Sequence, residues 1–298
     1  MNLYQGPTLP WPGLERYART VRLPQQGLAI HVYDAGAGTA TPMLLIHGLG
    51  DEADTWRHVI TPLSADRRVL ALDLPGFGRS DKPDRPYTVP FFQDTVIELL
   101  DVLAVQRAIL IGHSLGAVIA HNVALNHPER VERLVLISGA LAARSQEIDL
   151  AMLLFLVPGL GEWLYTRLRR DPNAAYRTLE LNYAHLDQLP EADRDFLFQR
   201  VNERVWSDGQ RRAFFSTFRN LARWVPAQQR DLTTRLSKLE VPTLAVWGEA
   251  DRVNSPKNSH VLTQAQPAAR LVLVPGAGHN LQQENPGAVL EAIRAWMM

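Results

Sequence analysis

The 298-residue chain contains no cysteine. That excludes a disulfide framework, a thiolate nucleophile and any cysteine-ligated metal centre, and it fits a reducing compartment. It also lacks an excess of charge: 31 basic residues stand against 31 acidic ones. No global field therefore draws the chain to nucleic acid or to an anionic membrane. One short basic cluster, Arg167-Leu168-Arg169-Arg170, reads as a solvated helix face. A long apolar run is missing too. The longest, LAMLLFLVPGLG at 150–161, is interrupted by Pro158 and two glycines. It falls well short of the ~20 apolar residues that a membrane span needs. The first residues, MNLYQGPTLPWPGLER, lack the basic start and apolar core of a signal peptide. These absences predict a cytoplasmic protein without a membrane span; they leave the oligomeric state open between monomer and homodimer.

Metal and cofactor signatures are absent as well. The histidines do not sit at ligand spacing on one helix, and GAGTATP at 36–42 lacks the Lys-Ser/Thr of a phosphate-binding loop. No metal and no cofactor are expected.

What the chain does have is alternation. MLLIHG (43–48), RVLALD (68–73), RAILIG (107–112), RLVLIS (133–138), PTLAVW (242–247) and RLVLVPG (270–276) are continuous apolar runs. Strands buried on both faces of a parallel sheet read this way. Runs near 19–24 and 28–34, separated by PQQG, alternate more and predict an antiparallel hairpin at one edge. Helical patterns lie between the strands. In 90–104, Phe92, Val96, Leu99, Leu100 and Leu103 share one face. A last helix should be capped by Asn285, with Pro286 in its first turn and Val289, Ile293 and Trp296 as its buried stripe. The alternation implies an α/β fold, an open and mostly parallel sheet with helices on both faces. It breaks over 141–232, which holds Leu-, Phe- and Arg-rich helical patterns and no good strand. Some ninety residues are too many for a loop, so four or five helices are expected to be inserted there.

In such sheets ligands bind beyond the carboxyl ends of the strands. After the run at 107–112 comes Gly112-His113-Ser114-Leu115-Gly116. A serine on a sharp strand-to-helix turn needs small residues two positions to either side, where larger ones would collide as the chain doubles back. The following helix would aim its N-terminal amides toward Ser114, a favourable setting for an oxyanion. After 242–247 come Glu249 and Asp251, and after 270–276 comes His279. A serine hydroxyl is a weak nucleophile until a base takes its proton, and a carboxylate fixes the tautomer of that base. The residues themselves leave Glu249 and Asp251 both open as the acid. In HGLGDEADTW (47–56) the backbone can turn in close, which makes the Leu49 N–H a candidate oxyanion donor beside that of Leu115. His47 reads as a structural residue of that loop. Trp56 either lines a pocket or anchors the next helix.

Taken together, HGLG (47–50), DLPGFGRSD (73–81), GHSLG (112–116), VPTLAVWGEAD (241–251) and PGAGHN (275–280) resemble the α/β-hydrolase family in its lid-bearing branch. The resemblance implies an eight-stranded, mostly parallel sheet with a core of residues 1–140 and 233–298 and a helical lid at 141–232. It places the acid at Asp251 and makes Ser114, Asp251 and His279 a triad. It makes Asp73, Gly76, Gly78 and Ser80 scaffold. His113, Trp56 and Leu281 become candidates for the substrate pocket. The expected activity is hydrolysis of a small-molecule carboxylic ester with a small or medium apolar acyl group, the lid phenylalanines Phe214, Phe215 and Phe218 being candidate acyl contacts. Dehalogenase and epoxide hydrolase relatives carry aspartate where this chain has Ser114. Carbon–carbon bond hydrolases of ring-cleavage products share the triad but typically show asparagine where His113 stands. A cofactor-free perhydrolase and a hydrolase-like ligand receptor with slow turnover are further alternatives.

Overall fold

A computed structural model describes residues 4, 6, 8–142 and 150–298, with side chains described from 153 onward in the latter stretch. Residues 143–149, at the start of the expected lid, and 1–3, 5 and 7 lie outside the described residues. The eight strands are β1 (Ala18–Leu23), β2 (Leu28–Ala35), β3 (Ala40–Ile46), β4 (Arg67–Leu72), β5 (Ala108–His113), β6 (Val131–Ile137), β7 (Thr243–Gly248) and β8 (Arg270–Val274). They form one sheet in the order β1-β2-β4-β3-β5-β6-β7-β8. β1 pairs antiparallel with β2, and β2 with β4; every other pairing is parallel. The alternating runs are thus the edge hairpin, and the continuous apolar runs are the parallel strands.

The parallel strands are apolar throughout because both faces are covered. On one face Leu44, Leu70, Leu110 and Leu134 pack with Phe92, Val96 and Leu99 of the helix Val89–Val102 and with Ile119 and Val123 of the helix Leu115–Asn126. Their neighbours one residue along, Leu45, Ala71, Ile111 and Val135, point the other way and pack with Trp56, Val289 and Ile293. This is the two-residue period of a pleated strand. The last helix, Pro286–Met297, starts as its sequence demands: the Asn285 Oδ1 accepts the Ala288 N–H at 3.1 Å.

Between β6 and β7 the described residues form helices only, chiefly Leu150–Leu156, Leu160–Arg167, Pro172–Arg177, Glu191–Trp206 and Asp208–Ser237. This segment has a small core of its own, which includes Ala175, Tyr183, Leu197, Val201 and Val205. Its last helix does not stop at 232. It runs through Pro226 to Ser237, and Leu232 and Leu236 are buried in the sheet's core. The two leucines are one helical turn apart, so burying both holds the helix together past the expected boundary. Of the basic cluster, Arg167 and Arg170 are exposed, whereas Arg169 bonds Asp208 and the Val205 carbonyl.

Register sets where the strands end. Ile46 of β3 lies opposite Gly112 of β5, Gly112 opposite Leu136 of β6, and Ile137 opposite Val246 of β7. The carboxyl ends of four neighbouring strands are therefore nearly level, and the loops that leave them share one edge.

Candidate active site

Ser114 lies between β5 and the helix Leu115–Asn126, with φ 52° and ψ −114°. Side chains other than glycine's rarely occupy that region. The turn is held by the Ser114 N–H, which donates to the Ile137 carbonyl at 2.9 Å, and by the Ser114 carbonyl, which accepts the Ala117 and Val118 N–H groups. The small residues around it are steric requirements. A Cβ on Gly112 would lie 2.3 Å from the Gly116 carbonyl oxygen, and one on Gly116 would lie 2.0 Å from that of Ile46. The latter contact measures how closely the helix start is pressed against the end of β3.

Asp251 follows β7 and His279 follows β8. The His279 Nδ1 lies 2.9 Å from the Asp251 Oδ2, and both side chains are buried. The other Asp251 oxygen accepts the N–H groups of Val253 and Asn254 at 2.9 and 2.7 Å. The loop thus uses one oxygen for its own turn and leaves the other to the imidazole. Because a carboxylate only accepts, Nδ1 carries the proton and Nε2 is left as the basic nitrogen. Glu249, by contrast, is exposed.

His113 links the two halves. Its Nε2 donates to the His279 carbonyl at 3.0 Å, and the two rings lie 4.8 Å apart. Burial, then the neighbouring His279, push its pKa down to about 3, so it is neutral at ordinary pH. The residue before the serine therefore braces the histidine loop, a role different from the pocket contact predicted for it. The other two predicted pocket residues, Trp56 and Leu281, are fully buried in the core beneath the sheet. For Trp56 this is the anchoring alternative. Of the candidate acyl contacts, Phe215 packs against Phe155 and Tyr165 inside the inserted segment. Phe214 instead comes within 3.2 Å of the Cβ position at Gly50, with Phe218 stacked on it.

The loop after β3 approaches the serine closely. A Cβ on Gly48 would lie 3.3 Å from the Ser114 Cβ. His47 is buried and holds the loop from within: its Nδ1 donates to the Gly48 carbonyl at 2.7 Å, and its Nε2 accepts the Leu74 N–H at 2.9 Å. Leu115 opens the helix, so its N–H has no acceptor within that helix. Asp73 is scaffold, its carboxylate accepting the Ala53 and Arg79 N–H groups at 2.6 and 2.7 Å. Ser80 bridges the Asp73 carbonyl and the His31 N–H.

One group of residues was not singled out in the sequence. Asp51 and Glu52, immediately beyond Gly50, pair with Arg200 and Arg204 of the helix Glu191–Trp206. The one available signal was the spacing of four between the arginines, which puts both on one helix face. Among the described residues, no group of three or more metal-ligating side chains could hold a metal ion, and no helix is long and apolar enough to cross a membrane.

A strand-end serine, a buried histidine–aspartate pair and a glycine loop thus lie at the carboxyl edge of a doubly wound sheet. Comparison with known proteins gives the family. The model of the alpha/beta hydrolase fold family matches residues 41–286, and the chain belongs to that family. It is 31% identical over 230 residues to a 2-hydroxy-6-oxononadienedioate/2-hydroxy-6-oxononatrienedioate hydrolase of Paraburkholderia phymatum, covering 76% of this chain and 75% of that protein. Among solved structures it is similar to a membrane phospholipase A described as a bacterial virulence factor, with 28% identity and a TM-score of 0.71 over 94% of this chain and 85% of that one. It shares its fold with the 2-hydroxy-6-oxo-6-phenylhexa-2,4-dienoate hydrolase of a Rhodococcus strain, with 20% identity and a TM-score of 0.78 over 94% and 99% of the two chains.

Proposed function

We propose that the protein is a serine hydrolase that cleaves a carboxylic ester of a small or medium apolar acyl group through an acyl-enzyme. The observation that carries this reading is the buried His279–Asp251 pair, at 2.9 Å, braced through His113 beside a serine in a strained turn. Ser114 attacks the acyl carbonyl while the His279 Nε2 takes its proton, and Asp251 stabilises the imidazolium. The Leu49 and Leu115 N–H groups receive the oxyanion. His279 then protonates the leaving alcohol and later takes a proton from the water that releases the acid. The helices between β6 and β7 act as a lid, and Phe214 above Gly50 supplies an apolar wall for the acyl chain.

A second reading, carbon–carbon bond hydrolysis of a ring-cleavage product, draws support from the relatives that carry that name. Against it, among the described residues, Arg200 and Arg204 over the loop are already paired with carboxylates, which leaves them poorly suited to an anionic dienoate. A panel of p-nitrophenyl esters of increasing chain length, run beside a 2-hydroxy-6-oxodienoate, separates the two. The ester reading expects turnover that peaks at short or medium chains. Efficient cleavage of the dienoate with only trace ester turnover would replace it with the second.

A further inference from the structure

The inserted segment grips the loop that carries Leu49. Directly after Gly50 stand Asp51 and Glu52, the latter 1% exposed. The Arg204 Nη2 lies 2.8 Å from the Asp51 Oδ1 and 3.4 Å from the Glu52 Oε1, and the Arg200 Nε lies 3.3 Å from that same Glu52 oxygen. Burial works against the charge on Asp51, yet Arg204, with smaller help from a Thr55 hydrogen bond, outweighs it and keeps the carboxyl below its ordinary pKa. Such pairs are costly to open from one side, because a lone buried charge is left behind. Phe214, from the next helix, closes on Gly50 from above. The loop is thus held by ion pairs at one end and by packing in its middle, both from the segment between β6 and β7.

We infer that Arg204 is a positioning residue for the oxyanion hole: through Asp51 and Glu52 it sets the loop that presents the Leu49 N–H to the tetrahedral intermediate. The inference rests on the serine hydrolase reading above. It means that the inserted segment governs the chemical step as well as access. A donor out of place should weaken binding of the transition state far more than that of the ground state. Losing one oxyanion donor outright lowers kcat by about 10²–10³-fold; a loosened loop should give roughly 10–100-fold.

The test uses the full chain with Arg204→Met, Arg204→Lys and Asp51→Asn, assayed on a p-nitrophenyl ester and for inhibition by a trifluoromethyl ketone, whose adduct carries an oxyanion. Arg204→Met should lower kcat by about 10–100-fold with KM within about threefold, and weaken ketone binding in parallel. Arg204→Lys should recover part of both. A folded Arg204→Met protein with kcat within about threefold of the parent overturns the inference. If that variant does not fold, unchanged kcat and ketone affinity in Asp51→Asn overturn it instead. An unsubstituted protein that neither turns over esters nor is labelled at Ser114 by a fluorophosphonate refutes the parent reading rather than the role of Arg204.

Discussion

Ser114→Gly should give a dead enzyme that is more stable than Ser114→Ala. Ser114 sits at φ 52° and ψ −114°, the backbone geometry of a turn position that glycine dominates. Holding a side chain there costs about 1–3 kcal/mol. Alanine keeps the Cβ and therefore the strain. Glycine removes the strain but gives up about 0.5–1 kcal/mol in chain entropy. The net difference favours glycine by about 1 kcal/mol. Spread over a chain of this size, that is an increase of roughly 2 °C in Tm. The comparison is cleanest by urea unfolding followed by tryptophan fluorescence, where a shift in midpoint at constant slope reports stability alone. Both variants lack the hydroxyl, so loss of the nucleophile cancels. If Ser114→Gly is no more stable than Ser114→Ala, the turn stores no strain, and the account of the glycines around it is wrong.

Three further outcomes follow from the same geometry. Asp251→Asn should lower kcat by about 10³–10⁴-fold, because an amide no longer fixes the productive tautomer of His279; Glu249→Gln, at an exposed position, should stay within about twofold, and a reversed ranking in ester kinetics would move the acid to Glu249. Gly116→Ala drives a Cβ to 2.0 Å from the Ile46 carbonyl and 2.7 Å from that of His47; it should cost about 3 kcal/mol or more, and a urea midpoint equal to the parent's would contradict the close approach. His113 and His121 are buried, and burial first of all depresses each to about 3. The unfolded chain takes up their protons near pH 6.5 and the folded chain does not. Their contribution is therefore fully present above about pH 6.5 and lost as pH falls toward 3, by about 1.4 kcal/mol per pH unit for each histidine. Urea midpoints measured from pH 7 to 4 should fall accordingly, and a flat profile would show that these imidazoles charge freely in the folded state.

The parallel strands were legible because burial on both faces leaves unbroken apolar runs, and the triad candidates because each follows such a run in the order serine, acid, histidine. The turn at Ser114 was legible because steric demand leaves glycine at 112 and 116. His113 and Leu281 were harder. A histidine beside the candidate nucleophile and a leucine two residues past the candidate base look like pocket residues in a linear reading. Only the fold shows that one reaches the His279 carbonyl and that the other turns under the sheet. The end of the inserted segment was misplaced because Leu232 and Leu236 fit either core equally well by periodicity, and no helix stop lies between them. The arginines that hold Asp51 and Glu52 were missed for a related reason: ion pairs between residues some 150 positions apart leave no local signature beyond the spacing that puts both arginines on one helix face.

Labelling with a fluorophosphonate, mapped by mass spectrometry on the unsubstituted chain, Ser114→Ala and Asp251→Asn, asks whether Ser114 is the nucleophile. A single adduct on Ser114 is expected, none in Ser114→Ala together with loss of ester turnover, and slowed labelling in Asp251→Asn. An unlabelled Ser114, or a Ser114→Ala variant that still hydrolyses esters at the parent rate, would rule Ser114 out as the nucleophile.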